Sequence, residues 1–105
     1  MKIKDLLTDE SKWTKGAFAI GADGLMVGSA SPSAVSWCLM GAVERCYGYD
    51  SVSPEAVKIG GRIHDYLREC PRALGDSGNW HMAGWNDAPG RTFADVRRLV
   101  TVLDI

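Results

Sequence analysis

The sequence predicts an α+β, mostly α fold, with about four helices and one small β-hairpin in a single compact domain. Three observations carry this. A chain of 105 residues that is 46% hydrophobic and 24% charged has the length and composition of one ordinary globular domain. Apolar residues recur at helical spacing in separate segments. Asp23-Gly24 falls between two short apolar runs, the pattern of a tight hairpin turn. Several of the twelve glycines sit between the periodic segments, where they mark turns.

The first element is expected over residues 3–12, a short helix whose face is Ile3, Leu6 and Leu7. The hairpin follows over residues 16–28, and its apolar face, Phe18 with Ile20 or Leu25 with Val27, must pack on the helices because an isolated hairpin is marginal. Ser31-Pro32 then reads as an N-cap and first helical residue. The run SAVSWCLMGAVERCYG, residues 33–48, is apolar almost all round and is expected to be the central buried helix, ended by Gly48.

Ser53-Pro54-Glu55 repeats the start signal, with an acid in the first turn where the helix dipole favours it. A third helix is expected to Glu69 and to stop at Pro71. Ala56, Ile59, Ile63, Tyr66, Leu67 and Cys70 form one side, and Lys58, Arg62, Asp65 and Glu69 the other. Gly60-Gly61 in its middle costs roughly 1 kcal/mol per glycine relative to alanine, so a close backbone approach is expected there. The last helix starts at Thr92, which with Asp95 makes a capping box with Asp in the usual place of Glu or Gln. Its face is Phe93, Val96, Leu99, Val100 and Leu103, with Arg97 and Arg98 turned away.

Twelve basic residues against thirteen acidic ones give a net charge of −1 without any block of like charge. That balance speaks against a general nucleic-acid or membrane surface. The N-terminus lacks the apolar run of a signal peptide, and no stretch approaches the roughly 20 apolar residues of a membrane span, so a soluble, cytoplasmic protein is expected. Cys38, Cys46 and Cys70 are odd in number and lack C-x-x-C spacing, which suits reduced thiols rather than a disulfide framework or a zinc knuckle.

The chemistry-bearing residues concentrate between Pro71 and Thr92, a connection long enough to suggest function. Trp80, His81 and Trp85 have the flat faces to stack on a ligand. Arg91 can hold a phosphate or carboxylate, and Asn86 and Asp87 can hydrogen-bond a base or sugar. The same residues also have a structural explanation. Pro89-Gly90 fits the centre of a type II turn, Asp87 can pair with Arg91 or cap amides, and the tryptophans can plug the core.

Cys38 with His81 and Asp87 or Asn86 spells a thiol-hydrolase constellation, although a cysteine two turns inside an apolar helix is more often an inert core residue. A metal site would have to gather Cys70, His64, His81 or Asp87 without any ligand spacing. His64 reads as a partly buried, hydrogen-bonded histidine. The phosphate-cradling glycine motifs are absent, and no cofactor is expected.

Three blocks carry a resemblance: WTKGAFA (Trp13 to Ala19), SWCLMGA (Ser36 to Ala42) and WNDAPGRTFADV (Trp85 to Val96). With these in order, the chain resembles a family of small uncharacterised proteins from bacteria and their phages, over roughly residues 3–103. The resemblance implies no activity. It implies a setting in which small proteins bind a host protein or a signalling molecule. Residues 51–80 depart most from that pattern.

Three functions follow as expectations. The first is a non-catalytic binding protein that sequesters a nucleotide-like signal or inhibits a host protein, with Trp80, His81, Trp85, Asn86, Asp87 and Arg91 as its site. The second is a small thiol hydrolase or transferase using Cys38 and His81. The third is an oligomerisation module, a homo-oligomer held by surplus apolar surface.

Overall fold

The computed structural model describes residues 1–69 and 81–105. Its elements among these residues are α1 (Ile3–Leu6), a 3-10 turn (Glu10–Lys12), β1 (Ala19–Gly21), β2 (Met26–Val27), β3 (Ala34–Trp37), α2 (Leu39–Tyr47), α3 (Pro54–Glu69), α4 (Met82–Asp87) and α5 (Phe93–Leu103). Mostly helical α+β is the architecture. The described residues contain five α-helices rather than about four, and the hairpin is extended to three strands.

The expected first helix splits, because α1 ends at Leu6 and the Asp9 carboxylate, accepting from the Ser11 amide at 2.9 Å, starts a separate 3-10 turn. Ile3 and Leu7 are nonetheless fully buried. The hairpin forms where expected: Gly24 donates to the Gly21 carbonyl at 3.0 Å and Asp23 Oδ1 accepts from the Leu25 amide at 3.0 Å. Its inward face is Ala19 and Val27, which are opposite one another in the register. Phe18, Leu25 and Met26 therefore face outward, at 50%, 66% and 74% exposure, which corrects the expected packing face.

The largest departure concerns residues 31–38. Ser31-Pro32 opens a turn, not a helix: Ser31 Oγ accepts from the Ser33 amide at 3.2 Å and the Ser31 carbonyl from the Ala34 amide at 3.1 Å. The chain then runs as β3, antiparallel to β1, with Val35 as the extra residue of a bulge between the Ile20–Ser36 and Gly21–Ala34 pairs. The central helix begins only at Leu39. Cys38 is its N-cap, with Sγ accepting from the Gly41 amide at 3.3 Å, so this cysteine lies at the helix entrance instead of two turns inside.

Helix α2 packs against α1, α3, α4 and β3 and is the centre of the core. Leu39 and Ala42 are fully buried, and burial of a leucine side chain contributes roughly 2 kcal/mol. Gly48 ends the helix, its amide returning to Glu44 at 2.9 Å. Ser53 caps α3, its Oγ accepting from the Ala56 amide at 3.2 Å and donating to the Tyr47 carbonyl at 2.7 Å. Ala56, Ile59, Ile63 and Leu67 are the buried face of α3, as the spacing predicts, while Cys70 and Pro71 lie outside the described residues. His64 is exposed, not partly buried.

The close backbone approach expected at Gly60-Gly61 lies at another glycine. A Cβ at Gly60 or Gly61 meets nothing within 4 Å among the described residues, so no close approach explains that pair. The close approach is at Gly41, in the first turn of α2, where a Cβ would lie 1.9 Å from the Phe18 carbonyl oxygen. That same carbonyl accepts the Cys38 amide at 3.3 Å, so α2 abuts the start of β1 directly.

Helix α5 carries the full capping box, Thr92 Oγ1 accepting from the Asp95 amide at 3.3 Å and Asp95 Oδ2 from the Thr92 amide at 3.0 Å. Val96, Leu99 and Val100 are buried. Arg97 does not turn away: its guanidinium donates to the Lys4 carbonyl and, at 3.3 Å, to the Leu7 carbonyl, serving the open end of α1. Ile105 is buried as well, its carbonyl accepting from the Lys4 amide at 3.1 Å.

Candidate functional site

The stretch from Pro71 to Thr92 contains a helix that its sequence hides. His81 is the N-cap residue of α4, and Trp85, Asn86 and Asp87 form the second half of that six-residue helix. Trp80 lies outside the described residues. At the exit of α4 the Arg91 amide donates to the Ala88 carbonyl at 3.0 Å, and Gly90 has φ +83°, a backbone conformation that type II turns require and glycine adopts without strain. The Pro89-Gly90 turn is thus where the sequence put it.

Asn86 is fully buried and joins three separate parts of the chain. Its Oδ1 accepts from Trp13 Nε1 at 2.6 Å and from the Leu39 amide at 3.0 Å. Its Nδ2 donates to the Thr14 carbonyl at 3.0 Å and to Asp87 Oδ1 at 2.9 Å. An amide offers two donors and two acceptor lone pairs, so every one of its positions is filled by the protein. The Leu39 amide is one of the orphan donors of the α2 N-terminus, and Asn86 therefore caps that helix from a distant segment.

Asp87 Oδ1 also accepts from the Gly16 amide at 3.1 Å, and Lys15 Nζ donates to the Ala88 carbonyl at 3.0 Å. The Thr14 amide reaches the Trp37 carbonyl at 3.1 Å, beside a parallel bridge of Trp13 and Trp37. Residues from all three sequence blocks therefore meet at one junction, although they are separated by as many as 73 positions.

Arg91 is 9% exposed and is held by its own surroundings. Its guanidinium lies 4.1 Å from the Trp85 ring centroid, Nε donates to the Trp85 carbonyl at 2.8 Å, and Nη1 is 3.8 Å from Asp95 Oδ2. Trp85 is partly buried against the core. Of the six expected site residues, then, Asn86 and Arg91 are built into the framework, Trp85 supports Arg91, His81 is exposed, and Asp87 remains at the surface.

A pocket of about 300 Å³ opens beside Asp87, lined by Gly16, Ala17, Phe18, Met26, Cys38, Ala83 and Asp87. Its walls are mostly apolar. The sequence singled out Asp87 and Cys38 but not the other five, which come from the hairpin and from the exposed side of α4. The apolar Phe18 and Met26 were the available signal, and Phe18 was expected, in one of two alternative faces, to pack on the helices.

Cys38 is 6% exposed, and burial pushes its thiol pKa up, helped by the nearby Asp87 and Glu44 charges and opposed by the Gly41 and Met40 amides. A helix N-terminus ordinarily lowers a thiol pKa, but here desolvation outweighs it. Burial likewise pushes Cys46 up to about 11. His81 is not one of the described residues lining the pocket. Among the described residues no three His, Cys, Asp or Glu side chains are grouped to hold a metal ion, and no helix is long and apolar enough to cross a membrane.

A family model described as "Family of unknown function (DUF6197)" matches residues 1–102. No curated protein and no solved structure matches the chain.

Proposed function

We propose, for a chain that belongs to the family of unknown function DUF6197, a non-catalytic binding role with the pocket beside Asp87 as the ligand site. One observation carries this reading: an open, apolar-walled pocket of about 300 Å³ has a single carboxylate at its edge, and that carboxylate is oriented by a fully satisfied buried amide. Small-molecule sites combine apolar walls with a few fixed polar groups in this way. Binding alone would serve the sequestering task expected from the sequence.

The site moves relative to the sequence-based expectation. Arg91 is committed to Trp85 and Asp95, so the phosphate of a nucleotide finds less support than a ligand that enters beside Phe18 and Met26. The test is a ligand screen read by amide chemical shifts of Gly16, Ala17 and Ala83, run in parallel on Ala83→Trp. Position 83 is exposed, so the indole fills the pocket without entering the Asn86 network. Binders that shift these amides in the native protein and not in Ala83→Trp are expected. A screen whose binders all ignore the substitution would move the site elsewhere.

Thiol chemistry is the second reading, favoured by the place of Cys38 in the pocket wall at the start of α2. Burial and the upward-shifted pKa oppose it, because the thiolate is the nucleophile. Native protein at neutral pH is expected to leave Cys38 unalkylated by iodoacetamide until it unfolds. Rapid labelling of Cys38 would reverse the order of the two readings.

A further inference from the structure

We infer that the pocket beside Asp87 takes a small ligand with an apolar body and one protonated amine, and that Asp87 is the counter-ion of that amine. This rests on the binding role proposed above and specifies its ligand.

The carboxylate is prepared for a cation. Oδ1 is held by the Gly16 amide at 3.1 Å and Asn86 Nδ2 at 2.9 Å, both neutral donors, so the group is oriented without being neutralised. Among the described residues Asp87 Oδ2 has no hydrogen-bond partner, and Asp87 makes no ion pair within 4.0 Å. Lys15 is the neighbouring cation, its Nζ on the adjacent Ala88 carbonyl at 3.0 Å and 5.5 Å from the Trp13 ring centroid, and it forms no direct ion pair with Asp87. Asp87 is also the last residue of α4, where the carbonyl end of a helix already disfavours negative charge. A bound cation relieves that local conflict.

The walls set the rest of the ligand. Phe18 contributes an aromatic ring, whose faces attract cations, and Met26 a polarisable thioether that adapts to ring edges. Ala17 and Ala83 leave room for an apolar body. Cys38 adds no second negative charge, because its thiol stays protonated at neutral pH, so one amine is matched and two are not. No Lys, Arg or His is among the described lining residues, and an anion would meet the Asp87 carboxylate without compensation. The volume of about 300 Å³ is at the lower end of ligand pockets, suited to a single ring with a short amine-bearing chain.

The experiment titrates the full chain with phenethylamine, 2-phenylethanol and phenylacetate, three probes of one shape and different charge, following the Gly16, Ala17 and Ala83 amides. Phenethylamine is expected to bind about tenfold more tightly than the alcohol, and phenylacetate more weakly than either. Asp87→Asn retains an oxygen for the Gly16 and Asn86 donors and is expected to bring the amine down to the affinity of the alcohol. A salt titration on the native protein checks the same charge dependence without any substitution: added salt weakens the amine and leaves the alcohol unchanged. Equal binding of amine and alcohol, abolished by Ala83→Trp, would overturn the amine assignment while the binding role stands. Failure of all three probes together with every compound of the wider screen would overturn both.

Discussion

At the junction of residues 13–16, 37–41 and 85–88, hydrogen bonds of Trp13, Thr14, Gly16, Leu39 and Asn86 tie distant segments together, and a single methyl at Gly41 has no space. Helix α3, by contrast, contributes a clean apolar stripe and leaves two glycines in its middle with open space around them. The first region is specified by geometry, the second by hydrophobicity. Substitutions are therefore tolerated along α3 and resisted at the junction. That difference also explains why the pocket is at the junction, since a fixed carboxylate needs a fixed frame.

The comparison predicts unequal responses to substitution. Asn86→Ala strands the Trp13 indole N–H and the Leu39 amide without their shared acceptor, and each unsatisfied group carries its own desolvation cost. A loss of about 4 kcal/mol in denaturant unfolding is expected. A loss under about 1 kcal/mol would mean that water replaces the amide and that the junction is not rigid. Gly41→Ala comes next, because a Cβ 1.9 Å from the Phe18 carbonyl must push α2 away from β1. About 3 kcal/mol of destabilisation is expected, with amide shifts spreading through residues 17–19.

Gly60→Ala and Gly61→Ala are expected to act in the other direction. Each raises helix propensity by about 1 kcal/mol without a clash, and the Gly60 methyl would enter a cavity of about 80 Å³ between α2 and α3. Thermal unfolding of the two variants checks this. A destabilised Gly60→Ala protein would show that the cavity, not the helix, determines the residue at that position.

The smallest effect is expected at the surface. Hydrogen bonds from Lys4 and Lys2 hold the Asp104 pKa down, at about 2 against an ordinary 3.8. A depressed carboxylate pKa contributes stability above its unfolded value, and that contribution is lost as pH falls through about 4 toward about 2. Asp104→Asn should flatten only that acid limb of the stability curve and leave neutral pH nearly unchanged, since exposed ion pairs contribute little.

What the sequence made legible was local. The Asp23-Gly24 turn, the Ser53 cap, the Pro89-Gly90 turn and the Thr92–Asp95 box each satisfy their backbone within a few residues, so their signals are complete in a short window. Strand β3 was hidden because Ser31-Pro32 imitates a helix start and because its pairing partner, β1, is remote in sequence. The true start of α2 was hidden too: cysteine is not a favoured N-cap, and the rest of the cap comes from Asn86. Within the candidate site, the residue types at 85–91 were noticed, but burial decides their roles. Asn86 and Arg91 turn inward, whereas Phe18, Met26 and Ala83 reach the pocket through tertiary placement that no single segment encodes.

The Asn86 amide also has a kinetic meaning. Its contacts to Trp13 and Leu39 close chain loops of 73 and 47 residues, so they cannot form until distant parts of the chain have come together. Local turns and helices can precede them, but the N-terminus of α2 stays uncapped until α4 arrives. Opening runs the same order backwards: release of the Leu39 amide requires α4 to detach from both residue 13 and residue 39. Hydrogen exchange at that one amide is therefore expected to follow the global unfolding of the protein rather than local fraying of α2.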